Sequence, residues 1–184
     1  LLVVIISIVG ISKLEVENSF INYFDKDTEI YKGMKLIDNK LGGTTPLDII
    51  IKFPDREKSE KTDDDFDNWD NEEKDEAKYW FTRNKINIIT KVHDYLDNLQ
   101  EVGKVISFAS MVRVAEDLND GKELRGLEMG ILYTQIPDSI KKEIIDPYIS
   151  IKNNEARISL RILDSNEDLR RNELIKKINY DLEN

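Results

Sequence analysis

The 184-residue chain has no cysteine and a single histidine, His93. Disulfides, a cysteine nucleophile, thiolate ligands and multi-imidazole zinc sites are therefore excluded. The absence of disulfides does not by itself choose a compartment. Long runs of Lys and Arg are also missing, and 27 basic against 37 acidic residues leave a formal charge of −10. Such a surface repels a phosphate backbone, so nucleic acid is excluded as the expected partner. Catalytic signatures are absent as well. Gly42-Gly43-Thr44-Thr45 lacks the spacing and lysine of a phosphate-binding loop, and no Gly-x-Ser-x-Gly elbow occurs.

What is present is enough apolar sequence, 40% of residues, to bury the core of one domain rather than leave a disordered chain. The longest apolar run is Leu1, Leu2, Val3, Val4, Ile5, Ile6, Ile8, Val9 and Ile11, broken by Ser7 and Gly10. Eleven residues of helix rise about 16 Å, roughly half a bilayer core. The run reads either as the end of a membrane helix, residues 1–13, or as a buried Val/Ile-rich strand. The helix end is the reading adopted, with these apolar residues as a membrane anchor and Phe20, Tyr23 and Phe24 near the interface.

Residues 14–184 then form one domain. Ile30, Met34, Ile37 and Leu41 recur at helical spacing over 27–41, with Asp25 or Asp27 as cap and Gly42-Gly43 as the stop. Leu47 to Phe53 alternates as a strand, with Ile49, Ile51 and Phe53 on one face. An acidic insert, residues 54–76, follows; between Asp55 and Glu76 twelve acids face four bases. Asp63, Asp65 and Asp67 imitate a calcium loop, but Asn68 and Lys74 occupy its glycine and closing-glutamate positions, so no metal is assigned. Phe66 and Trp69 either anchor the insert or dock a partner.

Beyond the insert, Ile86, Ile89, Val92, Leu96 and Leu99 mark a helix over about 77–100, beside whose stripe His93 stands as a locally bonded group without a catalytic role. A short strand, 104–108, leads to a helix capped by Ser110 and closed by Asn119-Asp120-Gly121. Two helical pieces, 127–135 and 137–145, form an excursion. Glu155 to Leu163 alternates as the clearest strand, and Ser165 with Asp168 caps a last helix bearing Leu169, Ile175, Ile178 and Leu182. The expected fold class is α+β, the ferredoxin-like split βαβ arrangement with a helical excursion, preceded by the end of a transmembrane helix and lacking its last strand.

The stretches Val16-Glu17-Asn18-Ser19-Phe20, Tyr23-Phe24, Asp27-Thr28-Glu29-Ile30-Tyr31 and Leu41-Gly42-Gly43-Thr44-Thr45-Pro46-Leu47-Asp48 resemble the large extracytoplasmic loop of exporters of the resistance-nodulation-division (RND) superfamily. The likeness is to the hydrophobe/amphiphile branch that includes mycobacterial large membrane protein (MMPL)-like transporters. Val102-Gly103-Lys104-Val105, Val112-Arg113-Val114-Ala115, Leu118-Asn119 and Glu155-Ala156-Arg157-Ile158 continue it. The resemblance implies a non-enzymatic porter domain, without cofactor, on the periplasmic side of a bacterial inner membrane. Its implied partners are the membrane, the remaining transmembrane helices, the other porter loop of the same exporter and a hydrophobic or lipid-like substrate; a homo-oligomer is compatible with it. Proton-coupling groups of that family lie in transmembrane helices, so no coupling or substrate-binding residue is carried over. The alternative expectation is a membrane-tethered extracytoplasmic protein-interaction module.

Overall fold

A computed structural model of the protein describes residues 19–54, 80–124, 126–166 and 169–183, together with Val4, Ser7, Gly10 and Ile11. The acidic stretch 55–76, with its calcium-like aspartates and Phe66 and Trp69, lies outside the described residues, as do most of the apolar anchor positions. Val4 and Ile11 of that anchor are helical and exposed. Among the described residues no helix is long and apolar enough to cross a membrane.

Two segments that alternate with period two pair as the edge and the centre of the sheet. Strand β1 (Thr45–Lys52) runs antiparallel to β4 (Glu155–Ile162), with Ile49 opposite Ile158 and Asp48 opposite Ser159. The other edge of β4 takes β2 (Val102–Ile106) and the two-residue β3 (Ile149–Ser150). The sheet order is thus β1-β4-β2, all antiparallel. Alternation puts Ala156, Ile158, Leu160 and Ile162 on the covered face, all buried. The open face carries charge, including Arg157, which sits 2.7 Å from Asp48 and holds that carboxyl below its ordinary range.

Helices cover one face. The first, α1 (Glu29–Leu41), precedes the sheet; α2 (Arg83–Asp97) links β1 to β2; and α3 (Phe108–Leu118) follows β2. Helix α4 (Gly126–Gln135), the short α5 (Asp138–Ile140) and a π turn (Lys141–Ile145) make up the excursion, and α6 (Arg171–Glu183) follows β4. The result is an α+β domain, as the sequence pattern predicts. Its core is double: Leu96, Val105, Ile158, Leu160, Leu174 and Ile178 under the sheet, and an aromatic-rich group around Phe81, Phe108 and Met129 towards the excursion.

Several sequence-based expectations are corrected. Thr28, not Asp25 or Asp27, caps α1, because its hydroxyl accepts from Tyr31 N at 3.2 Å while Asp25 Oδ1 is taken by Asp27 N. The apolar stripe of α1 does not face the core. Tyr31 and Asp38 are its buried positions, and Ile30, Ile37 and Leu41 are exposed. Ser107 rather than Ser110 caps α3, with Ser110 closing the capping box from the third position. Helix α6 starts later than expected and buries Leu174 instead of Ile175. Ser165 belongs to the preceding turn, while Asp168 lies outside the described residues.

The turn of α1 is explained by Asp38, which is 0% exposed. Its carboxylate accepts from Thr44 Oγ1 (2.8 Å), Asp164 N (3.1 Å) and Ser165 N (2.8 Å). A buried carboxylate is tolerated only when its lone pairs are satisfied in this way. Asp164, equally buried, accepts in turn from Ser19 Oγ, Ile21 N and Arg171. Gly42 ends α1 at φ 77°, where an added Cβ would stand 2.7 Å from Gly103 O, so the helix end and β2 meet backbone to backbone.

Asp38→Ala strips three donors of their acceptor at once and is expected to lower the unfolding free energy by about 3 kcal/mol. Thr44→Val, which removes a single hydroxyl, should cost about 1 kcal/mol. Urea unfolding followed by circular dichroism measures both.

Candidate functional site: an apolar groove in the helical excursion

His93, the one imidazole, is buried on α2. Its Nδ1 lies 2.9 Å from Ser107 Oγ, the hydroxyl that caps α3 by accepting from Ala109 N at 3.1 Å. In place of the local partner expected for His93, its partner is the N-cap of the next helix, fourteen positions on. Burial, with Arg113 adding to it, lowers the imidazole below its ordinary range, against the opposing charges of Asp97 and Asp94. Arg113 is itself paired to Asp94 across α2 and α3. A neutral imidazole bonded to a capping hydroxyl positions a helix. Nucleophilic chemistry would need an acceptor cleft beside Ser107, which is 0% exposed.

The concavity with a definite chemical character lies on the far side of α3. Residues between β2 and β3 place α3, α4, α5 and the π turn around a groove of about 540 Å³, within the range of small-molecule sites. Its floor is Phe81, Phe108, Met129 and Ile145, all buried. The rings pack closely, with Phe81 5.4 Å from Phe108 and 5.1 Å from Tyr133 between centroids. Its walls are aliphatic: Val114 and Leu118 from α3, Leu132 from α4, Ile140 from α5 and Ile144 from the π turn. These wall residues are exposed, Leu118 to 84%. A contiguous apolar concavity of this kind is uncommon on a monomer unless something occupies it.

Local sequence explains how the groove arises. In α3 the apolar residues cover more than one stripe, so that Ala109 and Val112 enter the core while Met111, Val114, Ala115 and Leu118 line the outer wall. In the π turn Asp146 N bonds to Lys141 O at 2.9 Å, an i to i+5 closure. That turn closes one residue later than an α turn, and both Ile140 and Ile145 line the groove. Polar side chains scarcely enter: Ser110 and Tyr133 are the lining residues that carry them, and Ser110 Oγ accepts from Ser107 N. Two methionines, Met111 and Met129, add side chains that adjust to varied shapes.

The sequence pattern places Val112, Val114, Ala115 and Leu118 together on one helix but does not separate the inner from the outer stripe, so the groove is not visible there. A partial signal does exist in α4, where Met129, Ile131, Leu132 and Tyr133 cluster in sequence, although Glu128, Thr134 and Gln135 share the helix and Ile131 and Leu132 are exposed. A second concavity, about 510 Å³ and bordered by Glu101, Arg170, Glu173 and Lys177, mixes charges of both signs. Among the described residues no group of three or more His, Asp or Glu could hold a metal ion.

The burial of His93 makes a pH prediction. The unfolded chain takes up a proton at about pH 6.5, whereas the folded imidazole does so only at lower pH. Stability is therefore complete above pH 6.5 and is lost as pH falls towards the folded value, at a slope of up to about 1.4 kcal/mol per pH unit. In His93→Gln this contribution is removed, so stability should fall less steeply from pH 7 to 5 than in the parent chain, as read by urea unfolding at each pH.

No family model matches the chain, and neither a curated protein nor a solved structure matches it.

Proposed function

We propose that the chain is the extracytoplasmic porter domain of a proton-driven RND-type exporter, handing hydrophobic, amphiphilic or lipid-like molecules outward by changes in packing, without covalent chemistry. The observation that carries this reading is the apolar groove. Its floor of Phe81, Phe108 and Met129 and its nearly unbroken hydrocarbon wall fit a ligand recognised by shape and apolarity rather than by hydrogen bonds. A reaction centre has no place in such a lining.

Two further features support it. The sheet order β1-β4-β2 is compatible with a ferredoxin-like split βαβ unit, in which a further strand would lie beside β1, and the outer edge of β1 has no partner among the described residues. The exposed stripe of Ile30, Ile37 and Leu41 on α1 offers a second surface for the other porter loop or the membrane-embedded part of the same transporter. In this reading the domain stands on the periplasmic side of a bacterial inner membrane. Transport then requires two packings of the domain with different affinity for the substrate, coupled to the state of the membrane helices.

Expression of the whole reading frame in an efflux-deficient bacterium should lower accumulation of the neutral fluorophore N-phenyl-1-naphthylamine. Ala115→Trp, which fills the groove from α3, should abolish the effect at unchanged membrane abundance. For the isolated chain, the same substitution should weaken fluorophore binding at least tenfold, about 1.4 kcal/mol. Efflux that persists with the groove filled would overturn the reading.

A further inference from the structure

The second concavity, unlike the groove, is bordered by charge. It is about 510 Å³ in volume and lies between α6 and the turn that joins α2 to β2. Both of its walls are tied down. On one side Val102 N closes the turn on Leu99 O at 3.1 Å, and Leu163 N, just past β4, bonds to Glu101 O at 3.0 Å. On the other, Leu174 N bonds to Arg170 O at 2.9 Å as α6 begins, and Tyr95 of α2 donates its hydroxyl to Asp181 further along that helix. Leu169 and Leu174, both buried, supply its apolar surface.

Four charges border this space, Glu101 and Glu173 against Arg170 and Lys177. Glu167 and Asp168, which precede Leu169, lie outside the described residues. Glu173 and Lys177 stand four positions apart on α6, on one face of the helix and about 6 Å apart along its axis. Glu and Lys in that order ordinarily pair on a helix surface. Here they do not: among the described residues neither enters an ion pair or a side-chain hydrogen bond, and Glu101 enters none either. All three border the cavity instead. An anion entering it meets two carboxylates and a cation meets two bases, whereas a molecule that carries both charges finds a partner for each.

We propose that this cavity binds small zwitterions of dipeptide size, with the ammonium at Glu173, the carboxylate at Lys177 and an apolar side chain against Leu169 and Leu174. Two residues of extended chain reach at most about 7 Å, which matches the one-turn separation of the two side chains. A single α-amino acid carries both charges on one carbon and does not reach. Glu101 and Arg170 place a second charge of each sign at the same border. The site shares no lining residue with the apolar groove and does not rest on the exporter reading.

The test titrates the isotope-labelled full chain with the dipeptide Ala-Leu at pH 7.5 and low ionic strength, and follows the backbone amide resonances. N-acetyl-Ala-Leu, which lacks the ammonium, Ala-Leu amide, which lacks the carboxylate, and leucine are titrated alongside. The amides of Gln100, Glu101 and residues 169–177 should move. Ala-Leu should bind tightest, with each of the other three weaker by about fivefold, the size of one exposed ion pair. Glu173→Gln should weaken Ala-Leu by the same factor and leave N-acetyl-Ala-Leu unchanged, while Lys177→Gln should weaken Ala-Leu and leave the amide unchanged. Both positions are exposed, and circular dichroism confirms that each variant is folded. Equal affinity for Ala-Leu and its two capped forms, or a variant that weakens all ligands alike, overturns the charge assignment. Shifts confined to other parts of the chain, or none at millimolar dipeptide, overturn the site.

Discussion

The carboxylate of Asp38 is the contact on which the arrangement of elements depends. It sits at the end of α1 yet takes its hydrogen bonds from Thr44 at the start of β1 and from the backbone of Asp164 and Ser165 beyond β4. Two separate pieces of chain are therefore fixed to one side chain of a third. Asp164 extends the tie to the Ser19–Ile21 segment and to Arg171 at the start of α6. Because both acids are buried, every one of these bonds is made in a medium where a missing partner costs far more than it does in water. The orientation of α1 follows: with Asp38 inside, its stripe of isoleucines and leucine must point outwards.

The groove depends on the opposite kind of constraint. Nothing polar organises it; it is what remains when an amphipathic α3, an apolar α4 and a π turn are packed around Phe81 and Phe108. Packing of hydrocarbon is non-directional, so the walls of such a site can shift with little loss of energy, and its two methionines conform to what enters. The capping bond from His93 to Ser107 fixes the first turn of α3, and at the outer end, beside Leu118, Glu116 Oε1 accepts from Leu124 N at 3.2 Å.

How much of this was legible in the sequence depends on which physical signal each part carries. The strands were readable because a period of two survives any tertiary context; Ile158, Leu160 and Ile162 are buried as their alternation requires. Helix α2 was readable for the same reason, and Ile86, Ile89 and Leu96 are core. Helix α1 was readable as a helix but not in its facing, since periodicity shows that a stripe exists and not what covers it. Here a hydrogen-bonded aspartate outweighed three apolar side chains, Ile30, Ile37 and Leu41. The caps were misplaced by a few residues because Thr28 and Ser107 compete with neighbouring Asp and Ser for the same donors. The short β3 gives no periodic signal at all. The groove needs three helices to be placed in space, and no local pattern states that.

The pairing of β1 with β4 also joins segments far apart in sequence; Asp48 and Arg157, bound across it, are 109 positions apart. During synthesis at about 5–20 residues per second, β1 leaves the ribosome roughly 5 to 20 seconds before the strand that will cover it. For that interval Leu47, Ile49, Ile50 and Ile51 form an apolar, strand-prone stretch with nothing to pair with. The charges of Asp48 and Lys52 and the missing backbone donor of Pro46 interrupt it at the positions where a passing chain would otherwise add on. Those three residues, unremarkable in the finished sheet, protect the nascent chain until β4 arrives.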